Sequence, residues 1–357
     1  MGSVKVDKNE AKAALDKIIT KARVDFYKPI QVAEVLYHKR MDPTMDLRNL
    51  ESYRSESKSW RNQVTIELLG KISTSSAKYQ DDVFSESAVP PEAMYVLGEE
   101  NIATLGAVEA YIYKAFTDRH RQLQDALDYC NNGTRENFDV RFLINLFWQE
   151  PGLKRSLDKM YEIIVYSLFA TLTDALELTV EISINPEKAN ILREFEDFTK
   201  NVMCIDFSNV TYQQEAKIYR VGVTNAADRG LDMYANWGPA IQIKHLALDE
   251  GLAENIVGSV SSDRIIIVCK SAEQGVIVSL LTQIGWRAKI QSVVTETNLI
   301  DWYERALRGN FATVMGDNLL TNIRASITDE FRSIGQEDNI LTSRNYSRIN
   351  NAFWSRP

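Results

Sequence analysis

Near residue 201 the chain changes its hydrophobic period, and a fold of one texture cannot hold both halves. Upstream, apolar side chains recur at helical spacing. Ala13, Leu15, Ile18, Ile19 and Ala22 follow Asn9, a predicted N-cap, and Trp60, Val64, Leu68 and Leu69 repeat the pattern. Pro29 interrupts before Ile30 to Tyr37, and Val89-Pro90-Pro91 marks a loop. Ala103 to Tyr129 predicts one long helix stopped by Asn131-Asn132-Gly133, and another runs from Glu150-Pro151-Gly152 to about Leu178. The helix predicted from Pro186 carries Ile191, Phe195 and Phe198 on one face. Downstream, Ile218 to Val223, Leu231 to Tyr234, Ala240 to His245, Arg264 to Cys269 and Lys289 to Val294 are short, β-branched and bounded by Asn, Gly or Pro. Gln274 to Ile284 reads as a helix capped by Gly285, and Trp302 to Leu307 and Asp317 to Phe331 as helices again. The expectation is a mixed α/β protein: a helical region over 1–200, a mixed central sheet flanked by helices over 201–335, and a basic, aromatic tail over 336–357.

Composition narrows the function classes. Charged residues make up 25% and hydrophobic residues 45%, ordinary for a globular chain. The net charge of −8 argues against coating nucleic acid by bulk charge, but leaves room for a local basic cleft. The polar start, Met1 to Glu10, has no apolar core of a targeting signal. The most apolar run, Met160 to Leu178, is broken by Glu162, Ser167, Thr171, Thr173, Asp174 and Glu177, so it predicts a buried helix and not a bilayer span. Cys130, Cys204 and Cys269 are widely separated, and only His38, His120 and His245 accompany them. A disulfide framework or a His/Cys metal site is not expected, and the compartment reads as the cytoplasm.

The residues with the sharpest chemistry lie around Asn236-Trp237-Gly238-Pro239, which is turn chemistry between two predicted strands. Side chains two apart on a strand share a face, so Gln242 and Lys244 point one way and Ile241, Ile243 and His245 the other. A hairpin can place Asp232 opposite that Gln/Lys pair. Such a group suits phosphodiester hydrolysis: the carboxylate binds a hard cation, the amide oxygen and the Ile243 carbonyl complete its shell, and the ammonium orients water and stabilises charge. Spacing alone is equally that of an ordinary strand ending in a solvated lysine. Trp237 at the hairpin tip reads as a packed turn aromatic, and His245 as structural.

The wording is more specific than the spacing. Val221-Gly222-Val223-Thr224-Asn225-Ala226-Ala227-Asp228-Arg229-Gly230-Leu231-Asp232, followed by Gly238-Pro239-Ala240-Ile241-Gln242-Ile243-Lys244-His245, resembles the core of type II restriction endonucleases of the HaeII family, within the PD-(D/E)xK nuclease superfamily. Tyr27-Lys28-Pro29-Ile30-Gln31-Val32-Ala33-Glu34, Glu150-Pro151-Gly152-Leu153 and Ser262-Asp263-Arg264-Ile265 extend the resemblance over about residues 10–330. It implies Asp232, Gln242 and Lys244 as catalytic residues, with Mg²⁺ held by Asp232, Gln242 and Ile243. Gln242 stands where the superfamily has Asp or Glu, which calls for another carboxylate: Glu215, on a predicted helix, or else Asp228. The resemblance implies cleavage of both strands of a GC-rich palindrome of the RGCGCY type, and a homodimer to match the two-fold DNA. It also implies a cognate DNA methyltransferase encoded nearby. The alternatives are another PD-(D/E)xK nuclease of repair or recombination, or a non-catalytic DNA-binding protein on a decayed nuclease fold.

Double-stranded DNA as substrate directs attention to basic clusters. These are Arg48, Arg54, Lys58 and Arg61; Arg119 and Arg121; Arg229 beside the catalytic motif; and Arg344 and Arg348 in a tail without Asp or Glu from Asn339 onward. For each, a solvated face is the simpler alternative.

Overall fold

A computed structural model describes residues 6–73, 82–150, 152–221, 231–260, 262–282, 289–331 and 337–355. It is mixed α/β and largely helical, and falls into two compact units. The first comprises Met1–Asn132, Phe142–Leu157 and Ile327–Pro357; the second comprises Gly133–Arg141 and Asp158–Ser326. The break therefore differs from one near residue 200. The helix Leu157–Ala175 lies almost wholly in the second unit, and the C-terminal residues Ile340, Tyr346 and Trp354 belong to the first unit's core. No helix among the described residues is long and apolar enough to cross a membrane.

The first unit is built from Lys8–Lys21, Tyr27–Met41, Arg54–Leu69, Pro91–Ala103 and Ala107–Asn132, with further short helices. Its first helix is capped by Asp7, not Asn9. The Asp7 side chain accepts from the Glu10 N–H and the Glu10 carboxylate from the Asp7 N–H, each at 2.8 Å, a reciprocal pair that satisfies two otherwise orphaned donors. Pro29 does not interrupt its helix, because it falls in the first turn, where its missing N–H has no partner to lose. The helix expected from Ala103 to Tyr129 is the single helix Ala107–Asn132, and Pro91–Ala103 is a separate helix before it. Leu105 and Gly106 adopt positive φ of 53° and 99°, which ends one helix and turns into the next.

The tail is tied down by charge. Arg344 makes a bidentate pair with the buried Glu34 (2.6 and 3.0 Å) and stacks 3.9 Å over Tyr37. Tyr113 also donates to Glu34. Glu109, wholly buried, is held in the same manner by Arg40 (2.8 and 2.9 Å) and Tyr346. Removing one partner strands a buried charge, so Arg344→Ala should destabilise the protein by about 3–5 kcal/mol. Equilibrium denaturation checks this, and a loss below about 1 kcal/mol would refute it.

The second unit centres on a five-stranded sheet. Strands β1 (Thr179–Ser183) and β2 (Thr211–Glu215) form a separate antiparallel pair. The main sheet contains β3 (Ile218–Arg220), β4 (Met233–Ala235), β5 (Ala240–Leu248), β6 (Ile265–Ala272) and β7 (Ile290–Thr295), in that spatial order. β3, β4 and β5 run antiparallel as a meander; β5, β6 and β7 run parallel, joined by the helices Glu250–Ser259 and Gln274–Thr282. The parallel strands need such crossovers, and Asp249 supplies an N-cap by accepting from the Leu252 N–H at 2.8 Å. Ile265, Ile267, Leu248, Ala253, Ile256 and Leu280 pack between strands and crossover helices. The predicted C-terminal helices are Glu296–Arg308 and Ala312–Glu330, and Gly285 lies outside the described residues.

Candidate active site

The β4–β5 hairpin assembles the site. Gly238, at φ 118°, takes a backbone conformation that side chains disfavour, and the Ala235 and Pro239 backbones close the turn at 2.9 Å. Asn236 fastens the turn to the preceding chain, accepting from the Lys217 N–H and donating to the Glu215 carbonyl. The register Met233↔Ile241 then sets Asp232 across from Gln242, as the hairpin argument expects.

Asp232 is fixed by two donors on one oxygen. The Ile243 N–H donates to Oδ2 at 2.7 Å, and Gln242 Nε2 donates to the same atom. A carboxylate only accepts, so the amide nitrogen is the atom turned to Asp232, and the amide oxygen lies beside it on the same carbon. Gln242 Oε1 is left buried with no hydrogen-bond partner. The N–H and C=O of one strand residue emerge on the same edge. The Ile243 carbonyl therefore leaves β5 on the Asp232 side, where β4 pairs only as far as Ile241.

The second carboxylate is Glu162, on the helix Leu157–Ala175. It is buried, bonded through both oxygens to Lys159 (2.8 and 2.9 Å), and 3.7 Å from Arg220 on β3. Burial raises the Glu162 carboxyl above its ordinary value; Lys159 and Arg220 pull it down, and the charge of Asp232 pushes it up. Burial likewise raises Asp232, against the Ile243 N–H, Lys244, Lys159 and Gln242. The site therefore couples two desolvated acids to the cations Lys244, Lys159 and Arg220. The sequence signal for Glu162 was a charge interrupting the most apolar run of the chain.

Glu215 is placed elsewhere. It ends strand β2, not a helix, and its exposed carboxylate pairs with Lys217 at 2.9 Å. Asp228 and Arg229 lie outside the described residues. His245 is buried edge-on to Tyr161 and 3.4 Å from Glu296, a packing position.

Three arginines expected at DNA are structural. Arg344 holds Glu34, as above. Arg61 is buried and donates to Gln31 and Asn62 (3.1 and 2.6 Å). Arg119 is buried and donates to the carbonyls of Ala22 and Ile19 (2.6 and 3.1 Å), closing the end of the first helix. Burial closes base or phosphate contact to Arg61 and Arg119, and Arg344 is committed to Glu34. Arg48, Arg54, Arg121 and Arg348 are exposed and Lys58 half-buried. Arg48, Arg54 and Arg121 pair with Glu92, Glu51 and Asp118.

Among the described residues no three His, Cys, Asp or Glu side chains cluster as a metal cage. The available donors are instead two carboxylates, an orphaned amide oxygen and a carbonyl. All are hard oxygen donors, a set that fits a cation such as Mg²⁺, which keeps several of its waters.

Comparison with known proteins gives the family. The model of the HaeII restriction endonuclease family matches residues 11–346. Type II restriction enzyme HaeII of Haemophilus aegyptius is 55% identical over 321 residues, 90% of this chain and 91% of that protein. Type II restriction enzyme NgoBI of Neisseria gonorrhoeae is 52% identical over 336 residues, 94% and 95% of the respective chains. No solved structure gives a significant match. With the match spanning both the helical unit and the hairpin that holds Asp232, the chain belongs to the HaeII restriction endonuclease family.

Proposed function

We propose that the chain, a site-specific endonuclease by family, uses Asp232, Glu162, Gln242 and the Ile243 carbonyl to hold Mg²⁺, and Lys244 as its catalytic cation. The observation that carries this is the buried, unpartnered Gln242 Oε1 beside a carboxylate held by two donors. When bound, the cation supplies Lewis-acid polarisation of the scissile phosphate. The chain's own residues do the rest. The Ile243 N–H and Gln242 amide hold Asp232 in one orientation. Lys244, half-buried on the same strand, orients the attacking water and stabilises the charge growing on the phosphate. Lys159 and Arg220 balance Glu162, so that two acids remain ionised in one desolvated pocket.

The substrate proposed is double-stranded DNA carrying a GC-rich palindrome of the RGCGCY type, cut on both strands by a homodimer in the cytoplasm. A cognate methyltransferase encoded nearby would protect host DNA. The exposed Arg48, Arg54, Arg121 and Arg348, with Lys58 and Arg229, remain the candidate DNA contacts. The test is digestion of plasmid DNA with Mg²⁺ or with chelator, followed by sequencing of the fragment ends. Discrete fragments with RGCGCY-type ends, lost in chelator, are expected. A sequence-independent smear would instead mark a generic nuclease. Tight binding without cutting would mark a decayed fold.

A further inference from the structure

The helix Val140–Gln149 buries one side and shows the other to solvent. Val140, Leu143, Ile144 and Phe147 are buried, whereas Arg141, Phe142, Asn145, Trp148 and Gln149 are exposed. At about 100° per residue, the five exposed positions fall within an arc of about 120°. An outward helix face ordinarily carries mixed charges that pair along it. This one has no acid and leaves two aromatic rings uncovered, Phe142 at 50% and Trp148 at 42% exposure. The side chains of Asn145 and Gln149 make no hydrogen bond among the described residues.

The turn after the helix adds charge. The Lys154 ammonium lies 4.5 Å over the Trp148 ring, and Arg155 is exposed with no ion pair among the described residues. Over residues 140–157 three basic side chains face one acid, Glu150, whose carboxylate accepts from Gln122 at 2.7 Å. A cationic patch therefore stands out on a chain of net charge −8.

Charge and donor chemistry select the occupant. A cationic, acid-free surface attracts a polyanion. Arg141, Asn145 and Gln149 stand four apart, so they form a row with about 6 Å between neighbours along the axis. That interval is about two base-pair steps of a duplex. An arginine fork matches guanine O6 and N7, and a carboxamide matches adenine N6 and N7. A duplex thus offers a partner to every group in the row, and phosphates to the two cations beside it.

We propose that this helix face reads the DNA substrate. Arg141, Asn145 and Gln149 contact base edges, while Trp148, Lys154 and Arg155 meet the sugar–phosphate backbone. The inference rests on the endonuclease reading above and names specificity-determining residues for it. In sequence the same stretch runs directly into the helix that carries Lys159 and Glu162, so recognition and cation binding occupy consecutive elements.

Binding of the full chain to short duplexes without Mg²⁺ tests this. One duplex carries the sequence read from the chain's own fragment ends, and a second of equal length lacks it. Asn145→Ala combined with Gln149→Ala is expected to weaken binding to the first by about 10-fold or more and to leave the second unchanged. Lys154→Ala combined with Arg155→Ala is expected to weaken both alike, and to lower the slope of log affinity against log salt by about 2. In the wild type, hydroxyl-radical oxidation of Trp148 should fall when saturating duplex is added. This readout needs no substitution and stands if a variant misfolds. Wild-type affinity and salt slope in both variants would overturn the proposal, and the face would then belong to a protein partner. Equal losses on both duplexes in the first variant, or Trp148 oxidised alike with and without DNA, would also overturn it. A wild type that cuts at discrete sites while both variants bind as it does removes this face and leaves the endonuclease. A wild type that cuts nothing, yet shows Trp148 protected by duplex and the expected change of salt slope, does the reverse.

Discussion

Asp232→Ala and Lys244→Ala each lower the rate of double-strand cleavage by roughly 10³-fold or more while leaving duplex binding measurable. The two fail for different reasons. Asp232 is the carboxylate to which both the Ile243 N–H and Gln242 point, so its loss strands two donors and, on the proposed function, removes a cation ligand. In the role proposed for it, Lys244 supplies charge that matters most as negative charge builds on the phosphate, so its loss acts on the chemical step. Asp232→Asn separates charge from scaffolding. The amide oxygen still accepts from Ile243, yet the cation loses its anionic ligand, so activity should fall as far as in the alanine variant. Stability should not fall with it. Burial holds the Asp232 carboxyl above its ordinary value, so its ionised form burdens the folded state. The metal-free Asp232→Asn protein should melt no lower than wild type. Retained cleavage in either alanine variant would remove the hairpin from catalysis.

Local rules made the hairpin legible. A turn at Asn236-Trp237-Gly238-Pro239, flanked by alternating side chains, fixes register, and register alone sets Asp232 against Gln242. The parallel half was legible for the same reason, since β6 is a short apolar run between helical patterns. What failed depended on distant partners. Arg61, Arg119 and Arg344 resemble surface arginines in sequence because their partners Gln31, Ile19 and Glu34 lie 30, 100 and 310 residues away. Glu215 follows a polar, unpatterned stretch, and its strand exists only by pairing with β1, more than thirty residues earlier. Glu162 was visible as a charge in an apolar helix, but its meaning required the helix to be set against Asp232.

Glu162→Gln should raise the Mg²⁺ concentration for half-maximal cleavage by about 10-fold or more, with a smaller effect on the rate at saturating cation. The substitution is nearly isosteric, and its amide oxygen can still accept from Lys159, so the helix stays anchored while one negative charge leaves the site. The pH dependence gives an independent reading. Both Glu162 and Asp232 have raised carboxyls, so each takes up its proton above the ordinary carboxylate range. Cleavage in the wild type should therefore fail on acidification earlier than unperturbed carboxylates would allow. The glutamine variant, freed of one like charge, should hold its acid limb to lower pH. Stability runs the other way. A carboxyl whose folded value is raised binds its proton more tightly in the native state, so the metal-free protein loses stability as pH rises from the ordinary carboxylate range through the raised one. Mg²⁺ should offset that loss by binding the ionised pair. Melting curves across that window, with and without cation, should show the offset in wild type and a flatter profile in Glu162→Gln. A variant with wild-type cation demand and an unmoved acid limb would reduce Glu162 to a tether for Lys159 and Arg220.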